Sequence, residues 1–324
     1  MKVLITGING FVGSHLADYI IDKNLGEVYG TIRSKNPNLD NISHNLGKIN
    51  RIECDLTDAT RTFEIINKVR PDIIFHLAAQ AFVPPSWEAP YQTINTNVIG
   101  TLNILEAVRK SKTGPTIHLA GTSEEYGLVN GNELPIKETN PLRPLSPYGV
   151  SKVAADMLCW QYYKSYGLKT IVTRAFNHTG PRRGIQYALS NWCYQIANAE
   201  LNNGGKTIKV GNLNASRDFS DVRDIVRAYW LAVKKGKPGE VYNISSGKAF
   251  SMQKILELLL NKTKLKFAIE KSPDRIRPSD VENLLGDCTK FRNATEWKPE
   301  IPLEKTLEDL LNYWREKIKA NKAQ

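Results

Sequence analysis

The chain has 324 residues, of which 41% are hydrophobic, and it carries a formal net charge of +11. This composition is typical of a folded globular protein and excludes a disordered or fibrous chain. No window approaches the ~20 apolar residues of a transmembrane helix. No signal-peptide pattern precedes the first strand-like run, so we expect a cytoplasmic protein.

The spacing of cysteines, histidines and basic residues disfavours three kinds of site. The four cysteines contain no C-x-x-C pair, which predicts reduced, buried thiols rather than a zinc site or disulfides. No two of the five histidines stand three to five residues apart, so we expect no metal. The basic residues are dispersed and form no stripe with aromatic residues. We therefore expect a small polyanion such as a diphosphate as partner, and no nucleic acid.

The first two-thirds of the chain alternates short β-branched runs with longer helical patterns, which predicts βαβ units around a parallel sheet. Strands are predicted at residues 2–6, 27–32, 50–54, 73–77, 116–120 and 169–174. Helices are predicted at residues 12–23, 59–69, 91–110 and 148–166.

The pattern loosens after Asn177. Here we predict helices at residues 189–201, 221–234, 251–261 and 303–319, and strands at 207–210 and 240–244. Ser251 is a plausible N-cap, and the strand at 240–244 could return to the main sheet. We therefore predict an α/β fold: a doubly wound parallel (Rossmann) sheet with a smaller, interleaved C-terminal α/β domain. The first domain would comprise residues 1–176 and about 218–247, and the second about 177–217 and 248–324, with a ligand crevice at the carboxyl ends of the strands.

A glycine-rich turn, T-G-I-N-G-F-V-G, follows the first predicted strand. Gly7 permits a tight turn, Gly10 leaves bare backbone for a pyrophosphate, and Gly13 lets the helix pack closely on the sheet. The N-terminus of that helix offers unpaired N–H groups to an anion. A glycine turn between a strand and a helix predicts a dinucleotide-binding site.

The residues at the end of the second predicted strand indicate which dinucleotide binds. NAD enzymes carry an acidic residue there to hold the ribose hydroxyls, and this sequence has none at that point. Arg33 could pair with a 2′-phosphate, aided by Ser34 and Lys35. The sequence therefore favours NADP over NAD. Asp55 and Leu56 could contact the adenine, although an ordinary carboxylate at a strand end would look the same.

Tyr148 and Lys152 stand four residues apart at the start of a predicted helix, so they share one helical face. A free phenol has a pKa near ~10, and a neighbouring ammonium is expected to lower it. Tyr148 could then exchange a proton with a substrate hydroxyl while a nicotinamide exchanges hydride with the same carbon.

The fifth predicted strand leads into A-G-T-S-E-E-Y-G. Thr122 offers a hydroxyl near Tyr148, and Ser123, Glu124 and Glu125 follow it. A carboxylate is useful there when a proton α to a new ketone must be removed and a neighbouring hydroxyl expelled. We expect only one of the two glutamates to face the cleft and favour Glu124. The alternative is that both are solvent-facing acids of a loop.

Together these motifs resemble the extended short-chain dehydrogenase/reductase family over essentially the whole chain. The resemblance rests on the glycine turn, D-L-T-D at 55–58, H-L-A-A-Q at 76–80, Thr122, and Tyr148 with Lys152. Within that family, four further runs are similar to the GDP-mannose branch. They are F-N-H-T-G-P-R-R-G at 176–184, G-N-L-N-A-S-R-D at 211–218, R-P-S-D-V at 277–281 and W-K-P at 297–299.

Two activities occur in that branch, and the sequence resembles both. T-S-E at 122–124, P-R-R-G at 181–184 and the basic loop at 33–39 resemble GDP-mannose 4,6-dehydratase. The runs at 142–152 and 217–224 resemble GDP-4-keto-6-deoxymannose reductase, and Asn191 stands where a dehydratase is expected to carry a basic residue. The resemblance favours the dehydratase. The reductase or another sugar-nucleotide dehydratase or epimerase is the alternative, and a catalytically silent NADP-binding sensor is a remote one.

The resemblance also implies roles for individual residues. Thr122, Tyr148 and Lys152 would assist the exchange of a proton and a hydride at C4, with NADP taking the hydride. Glu124 would remove the C5 proton and help to expel the C6 hydroxyl, and NADPH would return hydride to C6. The implied NADP contacts are Gly7, Asn9, Gly10, Phe11, Val12, Gly13, Arg33, Ser34, Asp55, Leu56, Leu77, Ala78, Ala79, Tyr148 and Lys152. The implied substrate contacts are Ser86, Thr122, Ser123, Glu124, Asn177, Arg183, Arg217 and Arg277; the last two could instead form surface ion pairs. The helices containing 101–108 and 153–163 imply a homodimer, and the 33–39 loop a tetramer.

Overall fold

A computed structural model describes residues 1–33, 36–202, 205–272 and 281–322. Its strands are β1 Lys2–Thr6, β2 Glu27–Ile32, β3 Ile49–Glu53, β4 Ile73–His76, β5 Thr116–Thr122, β6 Thr170–Ala175, β7 Asn177–Thr179, β8 Thr207–Val210, β9 Ser216–Asp221, β10 Val241–Ile244, β11 Ala249–Ser251, β12 Ala268–Lys271 and β13 Asn283–Leu284. Its helices are α1 Phe11–Asp22, α2 Ala59–Val69, α3 Val83–Glu88, α4 Pro90–Ile94, α5 Gly100–Ser111, α6 Pro147–Tyr166, α7 Ala188–Asn202, α8 Val222–Lys235, α9 Met252–Leu260, α10 Thr289–Thr295 and α11 Leu303–Lys322.

The main sheet has seven parallel strands in the order β10-β6-β5-β4-β1-β2-β3. The inner residues of β1, Val3, Leu4 and Ile5, are apolar and buried because both faces of this interior strand are covered. Val3 and Ile5 belong to the core cluster that includes α1 and α8, whereas Leu4 belongs to the cluster that includes α5 and α6. Successive side chains of a strand alternate between its faces, so one short run supports two helical layers. The predicted doubly wound parallel sheet is confirmed.

The predicted strands of the main sheet agree with the structure to within two residues at each end, and β1 and β2 agree residue for residue. The predicted helix at 91–110 differs, because a π-helical turn at Asn95–Ile99 separates α4 from α5. The buried Asn97 side chain accepts from the Gln80 N–H at 2.8 Å and donates to the Ser151 hydroxyl at 2.9 Å. A π-turn at this point turns a polar side chain inward toward the sheet.

The C-terminal part of the chain contributes both to the main sheet and to a second core. As predicted, β10 returns to the sheet beside β6, and Ser251 caps α9 by accepting from the Lys254 N–H at 3.1 Å. A second apolar cluster lies between α7, α9, α11 and β8. Phe291 and Trp297, however, pack into the core of the main sheet. The residue boundaries of the two domains stay a prediction.

The four cysteines, Cys54, Cys159, Cys193 and Cys288, are buried and form no disulfide. In the parts of the chain that the structure describes, no helix is both long and apolar enough to cross a membrane.

Candidate functional site

The glycine turn between β1 and α1 depends on the absence of side chains. Gly7 has a φ of 68°, and a Cβ there would lie 3.0 Å from the Cα of Ala78. A Cβ at Gly13 would lie 2.4 Å from the Gly7 carbonyl oxygen, so only glycine lets α1 start this close to the turn. The N-cap residue Gly10 offers no side-chain acceptor to the first N–H groups of α1. Such a helix N-terminus suits a bound phosphate.

Hydrogen bonds connect the residue before this turn, Thr6, to the segment at the end of β4. The Thr6 hydroxyl accepts from the N–H groups of Leu77 and Ala78, both at 3.0 Å, and lies 2.9 Å from Nδ1 of His76. Burial lowers the pKa of His76 to about 3, so its ring is neutral. These bonds place Leu77, Ala78 and the following Ala79, three of the predicted cofactor contacts, directly beside Gly7.

The other predicted cofactor contacts that the structure describes lie in the turn itself or directly after neighbouring strands. Arg33 follows β2 and Asp55 follows β3, and both are exposed at the carboxyl ends of their strands. Asn9, within the turn, donates to the Asn38 carbonyl at 3.1 Å. Phe11 and Val12, also predicted contacts, begin α1, and Leu56 follows Asp55. Ser34 and Lys35 lie outside the described residues.

Helix α6 begins directly against the turn that follows β5. Ser146 caps it by accepting from the Gly149 N–H at 3.0 Å. A Cβ at Gly149 would lie only 2.8 Å from the Glu124 carbonyl oxygen. Glycine therefore allows the first turn of α6, which carries Tyr148, to pack against the segment that carries Thr122 and Glu124.

Tyr148 is buried, and burial is the main reason why its pKa is raised. The nearby Tyr187 and Glu124 raise the pKa further, whereas a hydrogen bond with Thr122 offsets part of the rise. The structure therefore places the Tyr148 phenol and the Thr122 hydroxyl side by side. The expectation that this phenol has a lowered pKa is wrong for the protein as observed, because desolvation outweighs the stabilising contacts.

Lys152 is buried one helical turn beyond Tyr148, and its ammonium donates to the Ala120 carbonyl at 2.8 Å. Burial lowers the pKa of Lys152, and the negative charge of Glu125 opposes that effect. The ammonium is therefore directed to the end of β5, the strand that also ends in Thr122.

The two neighbouring glutamates have different surroundings. Glu125 is fully buried and accepts from the Thr122 N–H at 2.8 Å and from Nε of Arg174 at 3.0 Å. Glu124 is half-buried and lines a cleft. This arrangement corresponds to the sequence-based preference for Glu124 as the group that faces a ligand; its chemical role stays a prediction.

The cleft lies at the carboxyl end of the main sheet, next to Tyr148. Its lining residues are Val83, Trp87, Ser123, Glu124, Gly127, Leu145, Ser146, Arg217, Val281 and Leu284. Ser123, Glu124 and Arg217 in this set are predicted substrate contacts. Trp87 was not predicted, because a single tryptophan in this stretch has no local signal that marks it as a residue of a cleft. Arg277 lies outside the described residues.

Two other predicted substrate contacts are buried. Ser86 is fully buried, and its hydroxyl donates to the Val83 carbonyl at 2.6 Å. That Ser86 touches the sugar stays a prediction; in this structure its neighbour Trp87 lines the cleft. The side-chain oxygen of Asn177 is buried and has no hydrogen-bond partner among the described residues, as expected of an atom that completes its bonding with a ligand.

Arg183 lies nearer to the glycine turn than the sequence suggested. Its guanidinium carbon stands 3.4 Å from the ring centre of Tyr187 and 4.7 Å from that of Phe11, the first residue of α1. His178 also stacks on Phe11, with 6.1 Å between ring centres. Arg183 thus lies between the nucleotide turn and Tyr148. Tyr187 and His178 were not predicted, since only the fold brings them to Phe11.

The chain is similar to known proteins over nearly its whole length. A family model described as GDP-mannose 4,6 dehydratase matches residues 4–310. The chain is 30% identical over 318 residues to GDP-6-deoxy-D-mannose reductase of Pseudomonas aeruginosa, with 98% of each chain covered. It is 34% identical to GDP-mannose 4,6 dehydratase 2 of Arabidopsis thaliana, covering 97% of this chain and 88% of the relative. It also superimposes, with a TM-score of 0.84 and 29% identity, on RMD from Pseudomonas aeruginosa complexed with NADPH, covering 98% of this chain and 99% of that one.

Proposed function

Because the chain belongs to the GDP-mannose 4,6-dehydratase family, we propose that it is an NADP-dependent enzyme that converts GDP-mannose into GDP-4-keto-6-deoxymannose. The observation that supports this proposal is that four groups lie around the end of β5. Thr122, Tyr148 and Lys152 meet at the end of β5, and Glu124 lines the cleft beside them.

The residues of the glycine turn fit a dinucleotide. Gly10 leaves the start of α1 without a side-chain cap, so its N–H groups would hold the pyrophosphate. Arg33 would contact the 2′-phosphate, and Arg183 offers a second positive charge near the turn. When bound, NADP supplies the hydride acceptor and donor for the sugar carbons. The solved RMD structure contains NADPH, which supports NADP over NAD for this chain.

At C4 of the sugar, Tyr148 would accept the hydroxyl proton while Thr122 holds the same oxygen. Burial raises the pKa of Tyr148, so the phenol needs nearby positive charge to lose its proton at neutral pH. Lys152 lies one turn along α6 on the same helical face. Its ammonium would stabilise the phenolate during the transfer.

At C5 and C6, Glu124 would act as base and then as acid. A ketone at C4 acidifies the C5 proton, which the Glu124 carboxylate can accept. The protonated carboxyl can then donate to the departing C6 hydroxyl, which leaves as water. Arg217, which lines the same cleft, would bind the nucleotide diphosphate, and Asn177 would meet the substrate with its unpaired side-chain oxygen.

A second candidate is GDP-4-keto-6-deoxymannose reductase. The Pseudomonas aeruginosa reductase matches 98% of both chains. Asn191, where the resemblance predicts a basic residue for a dehydratase, instead donates to the Ile185 carbonyl at 3.0 Å and accepts from Gln195. The reductase would need the same Thr122, Tyr148 and Lys152 but no proton abstraction at C5.

One experiment separates the two activities. The purified protein is incubated with GDP-mannose without added NADPH, and the product is examined by mass spectrometry. A dehydratase recycles its cofactor and removes one water from more than one equivalent of substrate. A reductase leaves GDP-mannose unchanged and oxidises NADPH only when the 4-keto sugar is supplied. Activity with neither substrate would favour the silent sensor.

Exposed apolar side chains on α6 bear on how the enzyme assembles. Helix α6 exposes Val150, Met157 and Trp160, which are each about half exposed. An apolar stripe on a long helix suits pairing with a second copy, so we infer a homodimer through α5 and α6, with a tetramer as a further step. A cytoplasmic location accords with a sugar-nucleotide substrate.

A further inference from the structure

The segment at 180–184, which carries Arg183, is held in place by contacts with α1. Its Arg182 has a φ of 70°, in the left-handed region that is unfavourable for a residue with a side chain. Such a conformation persists only where surrounding contacts fix it. His15 on α1 makes the first of these contacts. Burial lowers the pKa of His15 to about 4, so its ring is neutral, and its Nε2 donates to the Pro181 carbonyl at 2.9 Å.

Asp18 makes the second contact, one helical turn beyond the histidine. Its carboxylate pairs with the Arg182 guanidinium at 2.7 Å, and the side chains of the arginine and the aspartate are 20% and 18% exposed. The other carboxylate oxygen accepts from Nε2 of His44 at 2.8 Å and from Nδ2 of Asn45 at 2.9 Å. These two residues belong to a short helical segment, Asp40–Lys48, that lies between β2 and β3. Asp18 is therefore fixed from one segment and fixes another.

The support of Asp18 leads back to the glycine turn. Asn9 of the turn donates to the Asn38 carbonyl at 3.1 Å, and Asn41 donates to the Asn9 carbonyl at 3.0 Å. The chain stretch that holds the Asp18 carboxylate is thus itself bonded to the turn. On the far side of the ion pair, the next residue is Arg183, whose guanidinium carbon stands 4.7 Å from the centre of the ring that begins α1. The turn, α1 and this arginine form one connected set of contacts.

Arg183 depends on its backbone for its position. Its guanidinium lies against the rings of Tyr187 and Phe11. No carboxylate among the residues that the structure describes forms an ion pair with it. Ring faces attract a cation, but unlike a carboxylate they do not fix the direction of its N–H groups. The ion pair made by the preceding residue therefore decides where Arg183 stands relative to the turn.

We propose that Asp18 is a positioning residue of the NADP site: through Arg182 it holds Arg183 in place to receive the negative charge of the cofactor. This inference rests on the proposed function, in which Arg183 supplies a positive charge to NADP. Asp18 stands seven residues beyond the start of α1, about 10 Å along the helix, so it does not itself contact the cofactor. An arginine that is already ordered binds an anion more tightly, because less freedom is lost on binding.

The test is a double-mutant cycle on NADPH affinity, measured by fluorescence titration of the full-length protein. Asp18→Asn keeps the shape of the side chain and removes its charge, and the dissociation constant should rise by about fivefold or more. In the Arg183→Gln background the same substitution should change the constant by no more than about twofold, because the group that Asp18 positions is already gone. An equal rise in both backgrounds, or no rise in either, would overturn the inference.

Asp309→Asn is the matched control. Asp309 is 19% exposed, close to the 18% of Asp18, and it also pairs with a guanidinium, that of Arg223 at 2.8 Å. It lies on α11, which belongs to the second apolar cluster. The dissociation constant for NADPH in this variant should match that of the wild type. A rise as large as that in Asp18→Asn would reveal a general effect of losing a paired carboxylate and would overturn the specific role.

Hydrogen exchange reports on the position of the segment directly. Without NADPH, a peptide that covers residues 180–187 should exchange faster in Asp18→Asn than in the wild type, and bound NADPH should restore part of the protection. Unchanged exchange in the free protein would contradict the inference.

A second variant keeps the test decisive if Asp18→Asn does not fold. Arg182→Gln removes the same ion pair from its other side, and it should raise the dissociation constant for NADPH to a similar extent. An unchanged constant would overturn the inference. A wild-type protein that binds NADPH but does not convert GDP-mannose would refute the proposed function, while the cycle on NADPH affinity would still decide the role of Asp18.

Discussion

The glycine turn and the cleft are built in different ways, although they adjoin. The turn consists of backbone atoms from one continuous segment, Gly7 to Gly13, resting on the end of β4. The cleft consists of side chains from α3, the segment after β5, the start of α6, β9 and β13. A site made from the backbone of one segment tolerates changes of the side chains that do not contact the ligand. It does not tolerate added atoms where backbone segments pack closely. A site made from many segments tolerates neither loss of a side chain nor movement of an element.

The largest effect is expected from the cleft. Glu124→Gln should lower the rate of water loss from GDP-mannose by roughly 10²–10⁴, the usual scale of a general acid–base group. Affinity for NADP should stay as in the wild type, because Glu124 lies outside the glycine turn. Product formation followed by mass spectrometry and NADPH binding followed by fluorescence are the two readouts.

Glu133→Gln is the control for that substitution. Glu133 also belongs to a short helical turn and pairs with Arg143 at 2.7 Å, but it does not line the cleft. Its substitution should leave turnover close to that of the wild type. Near-normal turnover in Glu124→Gln would remove that residue from the mechanism.

A smaller effect, on stability and NADP affinity, is expected when a side chain is added in the glycine turn. In Gly13→Ala the new Cβ would meet the Gly7 carbonyl oxygen at 2.4 Å, so α1 must shift away from the sheet. Overpacking of this kind costs about 1–3 kcal/mol of unfolding free energy, and NADP affinity should fall with it. Chemical denaturation and NADPH titration measure the two losses. Gly47→Ala, where a Cβ meets no atom within 4 Å, should retain both; equal behaviour of the two variants would show that the turn is not limited by space.

The smallest expected effect is on the unfolding free energy at acidic pH, and it concerns His118 on β5 of the main sheet. Burial lowers the pKa of His118 from 6.5 to about 3, so between these values the unfolded chain binds more protons than the folded one. Stability should therefore be retained above pH 6.5 and fall as pH decreases toward 3. His118→Phe should show a shallower fall of unfolding free energy with decreasing pH. An unchanged slope in His118→Phe would contradict this account.

Much of the nucleotide site could be predicted, because its signals are local. Gly7, Gly10 and Gly13 are adjacent in the chain, and β1 and β2 are recognisable from a few β-branched residues. The pairing of Tyr148 with Lys152 follows from helical periodicity alone. Such features need no knowledge of distant elements.

The cleft could be predicted only in part, because its geometry depends on contacts between distant segments. The burial of Glu125 follows from Arg174, which lies 49 residues further along the chain. The raised pKa of Tyr148 follows from how tightly α6 packs, and the burial of Ser86 follows from the course of α3. None of these has a signal in neighbouring residues.

The position of Phe291 and Trp297 in the main core has a consequence for synthesis of the protein. The first strand of the main sheet begins at Lys2. Two of the largest buried side chains in the core of this sheet, however, come almost 300 residues later. A nascent chain that has emerged only as far as β10 would expose the apolar surface that these rings cover. The main sheet therefore cannot complete its core until residue 297 has left the ribosome, and a chaperone would bind the exposed surface during that interval.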